Sequence, residues 1–190
     1  MNPVTGLATA SALDYHSLSG KERWQLYWKQ NYLSIGAYFG PVFTALVLDQ
    51  ATGSPSQWGG GFRGYGLRVA SRTAMGAVQG TLQASIAATL HEDVRYISSA
   101  RTGFKKRALH AIAYSFVTYN DQGHTTLNFA NLTGIYATAA ISTAWVPGRF
   151  TVGTYTLTNG TAQIGLSVPI NLLQEFWPEI RRKIFRRSSP

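Results

Sequence analysis

Three tracts, residues 73–90, 122–148 and 150–174, contain no Asp, Glu, Lys or Arg. A stretch without charge on that scale has to lie in a protein core, in a helix contact or in lipid. The tracts are not uniformly greasy. In LNFANLTGIYATAAISTAWV, Thr, Ser and Asn recur, yet at about 1.5 Å per residue a helix of that length approaches one bilayer core. Charged residues make up only 13% of the 190-residue chain and hydrophobic ones 45%, which excludes a disordered charged tail and supplies one domain with a core. The chain has no Cys, so cysteine zinc sites, thiol catalysis and iron–sulfur clusters are excluded, and redox chemistry does not reveal a compartment.

The spacing inside these tracts predicts helices. From Leu67 to Thr89, residues Met75, Val78, Leu82, Ile86 and Leu90 form an apolar stripe at helical period. Gly76, Gly80, Ala84 and Ala88 place a small residue at every fourth position beside it, the spacing that lets another helix approach closely. Gln79 and Gln83 adjoin that stripe and are expected to hydrogen-bond across the contact. In 162–170, an alternation preceded by Asn159-Gly160 suggests a hairpin strand. Gln163, Ser167, Asn171 and Glu175 instead share one face of a helix, which is the preferred reading, bent near Pro169 and followed by a short helix from Pro178.

Residues 1–20 read as a flexible tail. They contain Ala-Thr-Ala-Ser-Ala at 8–12 with no basic or apolar segment before it, so no secretory signal is expected in the sequence as written. A helical domain is expected over 21–187. Ser19 and Glu22 have the spacing of a capping box. KERWQLYWKQNYL mixes aromatics with cations as a membrane interface does, and as a helix across a core also does. The apolar stretch from Ser34 to Asp49, with Pro41 expected to bend it, is short for a span. Residues 51–65 form a Gly-rich loop whose GGG lacks the context of a phosphate loop. His91-Glu92-Asp93 should stop a helix, and FKKRALHAIAYSFVTY should form the next one, closed by Asn120-Asp121-Gln122-Gly123.

The net charge of +9 is clustered. Lys105, Lys106 and Arg107 stand at an expected helix start, against the helix dipole, which points to an anionic surface. Trp177 followed by Arg181, Arg182, Lys183, Arg186 and Arg187 fits a helix lying on anionic lipid, and equally a packed terminal helix with solvated cations. The clusters flank uncharged runs and do not line a groove-reading helix, so nucleic acid is disfavoured as a partner.

At HEDVRY (91–96), FVTYNDQG (116–123), ISTAWVPGR (141–149) and EFWPEIRRKIF (175–185), the chain resembles a family of uncharacterised bacterial proteins found in acidobacteria and some proteobacteria. Its motifs run close to GEDPRY, FVTRTDxG, ISNAWYP and EFWPDIKRKLF, in the same order, and the resemblance covers roughly residues 20–187. Val94 stands where the family has Pro, and His91 where it has Gly. The resemblance implies a bacterial membrane or cell-envelope location and carries no catalytic residues.

Candidate chemistry is sparse. His91, Glu92 and Asp93 are adjacent and lack the spacing of a helical zinc pair. Glu175 and Glu179 fit salt bridges with the following cations better than an acid/base pair. The sequence has no G-x-S-x-G, and GGGFRG at 59–64, which has the spacing of G-x-G-x-x-G, has no strand expected before it. The reading is therefore an all-α bundle of about five or six helices packed through Gly/Ala faces, with hairpins embedded in or lying on a membrane. No cofactor and no metal is expected. Its function would be non-enzymatic, through contact with anionic lipid head groups and with a helical partner or a second copy of itself. The alternatives are a soluble helical lipid-binding protein or hydrolase with a pocket of His91, Asp93, His110 and Asp121, and a β-rich outer-membrane module.

Overall fold

Ser19 opens the first helix as the sequence predicts. In the computed structural model, which describes residues 6–186, its hydroxyl accepts the Glu22 N–H, and the Glu22 carboxylate accepts the Ser19 N–H at 2.8 Å. Helix α1 (Gly20–Trp28) loosens into a π-helical stretch, Lys29–Leu33. Ser34 then adopts an extended backbone and caps α2 (Ile35–Thr44), which widens into a second π-helical stretch, Ala45–Gln50. The turn of 46° between Gly20–Leu33 and Ile35–Gln50 falls at Ser34, whereas Pro41, expected to bend the segment, lies within α2.

Helix α3 (Gly61–Leu90) starts earlier than its apolar stripe does, because Gly61–Tyr65 of the expected loop form its first turns. Gly64 makes this possible: a side chain there would strike the carbonyl oxygens of Trp58 and Gly59. Arg68, 1% exposed, reaches back and donates to the carbonyls of Ser54, Pro55 and Gly59 and to Gln50 Oε1. His91 ends α3 in the left-handed region.

The segment expected as tail is tied into the molecule: β1 (Thr9–Ser11) pairs in parallel with β2 (Tyr96–Ser98), Ala10 opposite Ile97. Helix α4 (Phe104–Ala113) is shorter than expected. Val117–Tyr119 leaves the helix as β3 and pairs antiparallel with β4 (Thr125–Leu127), so the expected helix through FVTY is corrected to helix plus strand. The β-branched residues Val117, Thr118, Thr125 and Thr126 suit that pairing. β4 also cuts into the second charge-free tract, leaving α5 (Phe129–Ser142), with Asn128 as its cap. Helix α6 (Val152–Arg186) runs through Pro169 and Pro178 without the expected division. The alternation at 162–170 is therefore helical, and with 68% of the chain in helices the β-rich module is excluded.

Helix α5 packs between α3 and α6, and α4 lies against α6. The small-residue contact differs from the expected one. Gly134 on α5 faces the backbone of Gln79 and Gln83 on α3, while Gly160 on α6 faces the Tyr136 ring. On α3, Gly80 faces the Asn31 carboxamide, and Gly76 and Ala88 are exposed. The stripe thus turns towards α1 and solvent, because the Ser71, Gln79 and Gln83 side of α3 meets α5. The Gln79 and Gln83 side chains make no hydrogen bond to a described residue, contrary to expectation.

Burial is unusually polar. Arg68, Glu92, Asp93, Thr118, Gln174 and Glu175 are each at most 3% exposed. The apolar core is small, centred on Tyr96, Ile97, Ala111 and Tyr114. Large apolar side chains instead crowd the surface, most densely along α2 and its π-helical extension. Among the described residues no single helix is long and apolar enough to cross a membrane, which corrects the expectation of spanning helices; the bent pair Gly20–Leu33 and Ile35–Gln50 passes only when taken together.

Candidate functional site

The motifs scattered through the sequence meet in one buried polar hub. His91 turns the chain out of α3, so that Glu92 and Asp93 point inward. Glu92 accepts the Phe129 N–H at 3.2 Å and the Ala130 N–H at 2.9 Å, placing its carboxylate on the N-terminus of α5. Asp93 forms an ion pair with Arg95 at 2.7 Å and accepts the Arg95 backbone N–H at 2.8 Å. Thr118 of β3 donates to the Asp93 carbonyl, and Tyr114 to that of Arg95. Arg23 of α1 closes one side, donating to the Glu92 carbonyl and pairing with Asp121 at 2.6 Å.

The hub continues into α6. Glu175, with its side chain fully buried, accepts from the Tyr96 hydroxyl at 2.9 Å, from the Ser99 N–H at 3.0 Å and from Arg107 at 2.8 Å. Arg107 also pairs with Glu179 at 2.6 Å and lies 4.6 Å over the Phe176 ring. The Arg107 hydrogen bond holds the Glu179 carboxyl below its ordinary range, and the same bond raises the guanidinium. Burial, then the adjacent Glu175 carboxylate, pushes the Tyr96 phenol up. Each charge has a partner, as buried ions require. The arrangement locks α4, α6 and the 91–99 segment together and offers no unpaired acid or base.

The expected anion-binding residues separate accordingly. Lys105 and Lys106 are exposed at the start of α4, but Arg107 is neutralised by Glu175 and Glu179. The spacing of Glu175 and Glu179 had suggested Arg181, Arg182 and Lys183 as their partners. Of these, Arg182 reaches Glu179 at 4.0 Å. Arg181, Arg182 and Lys183 are exposed on α6, and Trp177 is half-buried. The side chain of Arg186 and the whole of Arg187 lie outside the described residues.

The His/Asp pocket is not assembled. His91 Nδ1 lies 2.9 Å from Asp121 at the surface, and His110 Nε2 lies 2.9 Å from the Ile97 carbonyl on the other side of the hub. Asp93 is held by Arg95. Among the described residues, no group of three His, Asp or Glu side chains is placed to hold a metal ion.

What sequence reasoning missed is a cleft. Trp24, Tyr27 and Trp28 of α1 form one wall, and Gly80, Ala84 and Ala88 of α3 form the other, around about 450 Å³. Behind it lies a second space of about 220 Å³ between α3, α5 and α6, with Leu7, Gln30, Gln83 and Val94 bordering both. The four-residue spacing of Gly80, Ala84 and Ala88 was the available signal; it marks a groove floor as well as a helix contact. The chain matches no protein-family model, no curated protein and no solved structure.

Proposed function

We propose that this chain is a non-enzymatic membrane- or envelope-associated interaction protein that seats itself in the lipid boundary through α2. The carrying observation is the apolar ridge of α2 and its π-helical extension. Ile35, Tyr38, Phe39, Phe43 and Leu46 are 51–76% exposed there, while Arg68, Glu92, Asp93 and Glu175 are inside. A contiguous patch of that kind is costly in water and marks a membrane or protein contact. The stretch from Ile35 to Gln50 spans roughly 24 Å as a helix, less than the ~30 Å hydrocarbon core. That length suits a segment dipping into the interface better than one crossing it.

Helix α4 supports the same reading. Phe104, Leu109 and Ile112 of α4 and Phe116 in the turn after it are exposed, with Lys105 and Lys106 next to Phe104. Apolar residues flanked by Lys are what an anionic bilayer surface binds. Exposed Arg181, Arg182 and Lys183 add to the attraction, and the apolar ridge also suits a helical partner or a second copy. The family resemblance points to the envelope as well. Flotation with vesicles of phosphatidylcholine and phosphatidylglycerol tests the proposal: the protein should rise with the lipid and stay there in high salt, and recovery wholly in the soluble fraction would refute it.

A further inference from the structure

The cleft and the space behind it differ in chemistry, and the difference describes a ligand. The outer part has aromatic rings on one side and a floor of Gly80 and Ala84 on the other. The inner part is walled by carboxamides from three helices: Gln79 and Gln83 of α3, Asn131 of α5 and Gln163 of α6. None of these four side chains hydrogen-bonds to another described residue. Gln30, at the junction, has its Nε2 buried without a partner. The buried Gln30 nitrogen is expensive to leave unsatisfied, and the other four carboxamides are half-buried with their hydrogen-bonding groups open to the space. All charge bordering the two spaces is compensated: Arg23 by Asp121, and Asp93 by Arg95. An anion or cation would find no counter-ion here, whereas a carboxamide, which is both donor and acceptor, matches hydroxyl groups.

We infer that the cleft binds an uncharged amphiphile, with a hydrocarbon tail laid along Trp24, Tyr27 and Trp28 and a polyhydroxylated, sugar-like head inserted among the carboxamides. The outer volume is within the range of small-molecule sites, about 300–1,000 Å³. The inference does not require membrane association, since no residue of α2 lines the cleft or the space behind it.

The test is a titration of the full chain, purified without alkyl glycosides, with octyl β-glucoside below its micellar concentration. It is followed by tryptophan emission, which Trp24 and Trp28 make sensitive to the cleft. A saturable change is expected, with octanol, glucose and octyl phosphate each binding at least about tenfold more weakly. Gln83→Leu and Gln163→Leu should each weaken octyl glucoside about tenfold, and Ala84→Phe should abolish the response. Circular dichroism identifies any variant that misfolds, and the three substitutions lie on two separate helices. The inference is overturned if the response does not saturate, if octanol or octyl phosphate binds as tightly, or if the folded variants bind like the parent chain.

Discussion

Glu175 is the residue on which most of the hub depends. It takes hydrogen bonds from Tyr96, Ser99 and Arg107 with no exposure of its own side chain. Removing one partner of a buried pair typically costs about 3–5 kcal/mol. Glu175→Leu should therefore lower the unfolding free energy by about 3 kcal/mol in urea melts, and Glu175→Gln, which can still accept hydrogen bonds, by less. Glu179 makes a smaller, pH-dependent contribution. Arg107 holds its carboxyl below the ordinary 4.5, so the folded state takes up that proton less readily than the unfolded state. The contribution is whole above about pH 4.5 and is lost as pH falls through the depressed value. Urea midpoints measured on either side of that pH should fall on the acid side for the parent and change less for Glu179→Gln. The Ser19–Glu22 cap and the stop at His91 were legible in the sequence because they act within four residues. The pairing of Arg107 with Glu175 was not, because it joins positions 68 apart in the chain and the nearer cations at 181–183 offered a local alternative.

At the scale of elements, period decided what could be read. α3 and α6 are long and periodic, so their existence followed from the pattern even where their ends did not. The strands β1 to β4 have three residues each, too few for alternation to show, and they exist through pairing with distant partners. The small stripe on α3 showed a surface open to close approach but not what approaches it. Gly134 of α5 took the interhelical role, and the stripe became the floor of a cleft. Helix α2 carries the element-scale prediction. Phe39 and Leu46 are 55% and 52% exposed, so replacing both with Glu should leave the helical circular dichroism intact. Two charges in the ridge should nevertheless abolish flotation with vesicles. Flotation equal to that of the parent chain would remove α2 as the contact.

Among the described residues, polar and apolar side chains share the interior, with paired ions and carboxamides beside the small apolar core, while many aromatic and branched side chains lie outside. Composition could not reveal this, since the same 45% of hydrophobic residues could as well have filled a core. The charge-free tracts marked helices that meet other helices or lipid, but only the tertiary arrangement separates the two. Tracts 122–148 and 150–174 supply α5 and α6, which meet α3 and α4, while exposed apolar side chains are densest on α2 and its π-helical extension. Because the chain has no Cys, single introduced thiols can be labelled without background. The most direct measurement uses Phe39→Cys and Lys106→Cys chains carrying a fluorophore, with iodide quenching read before and after vesicles are added. The account predicts that the label at position 39 becomes strongly shielded from iodide, while the label at 106, at the level of the head groups, is shielded less. Unchanged quenching at position 39, with the protein still folded, would contradict it.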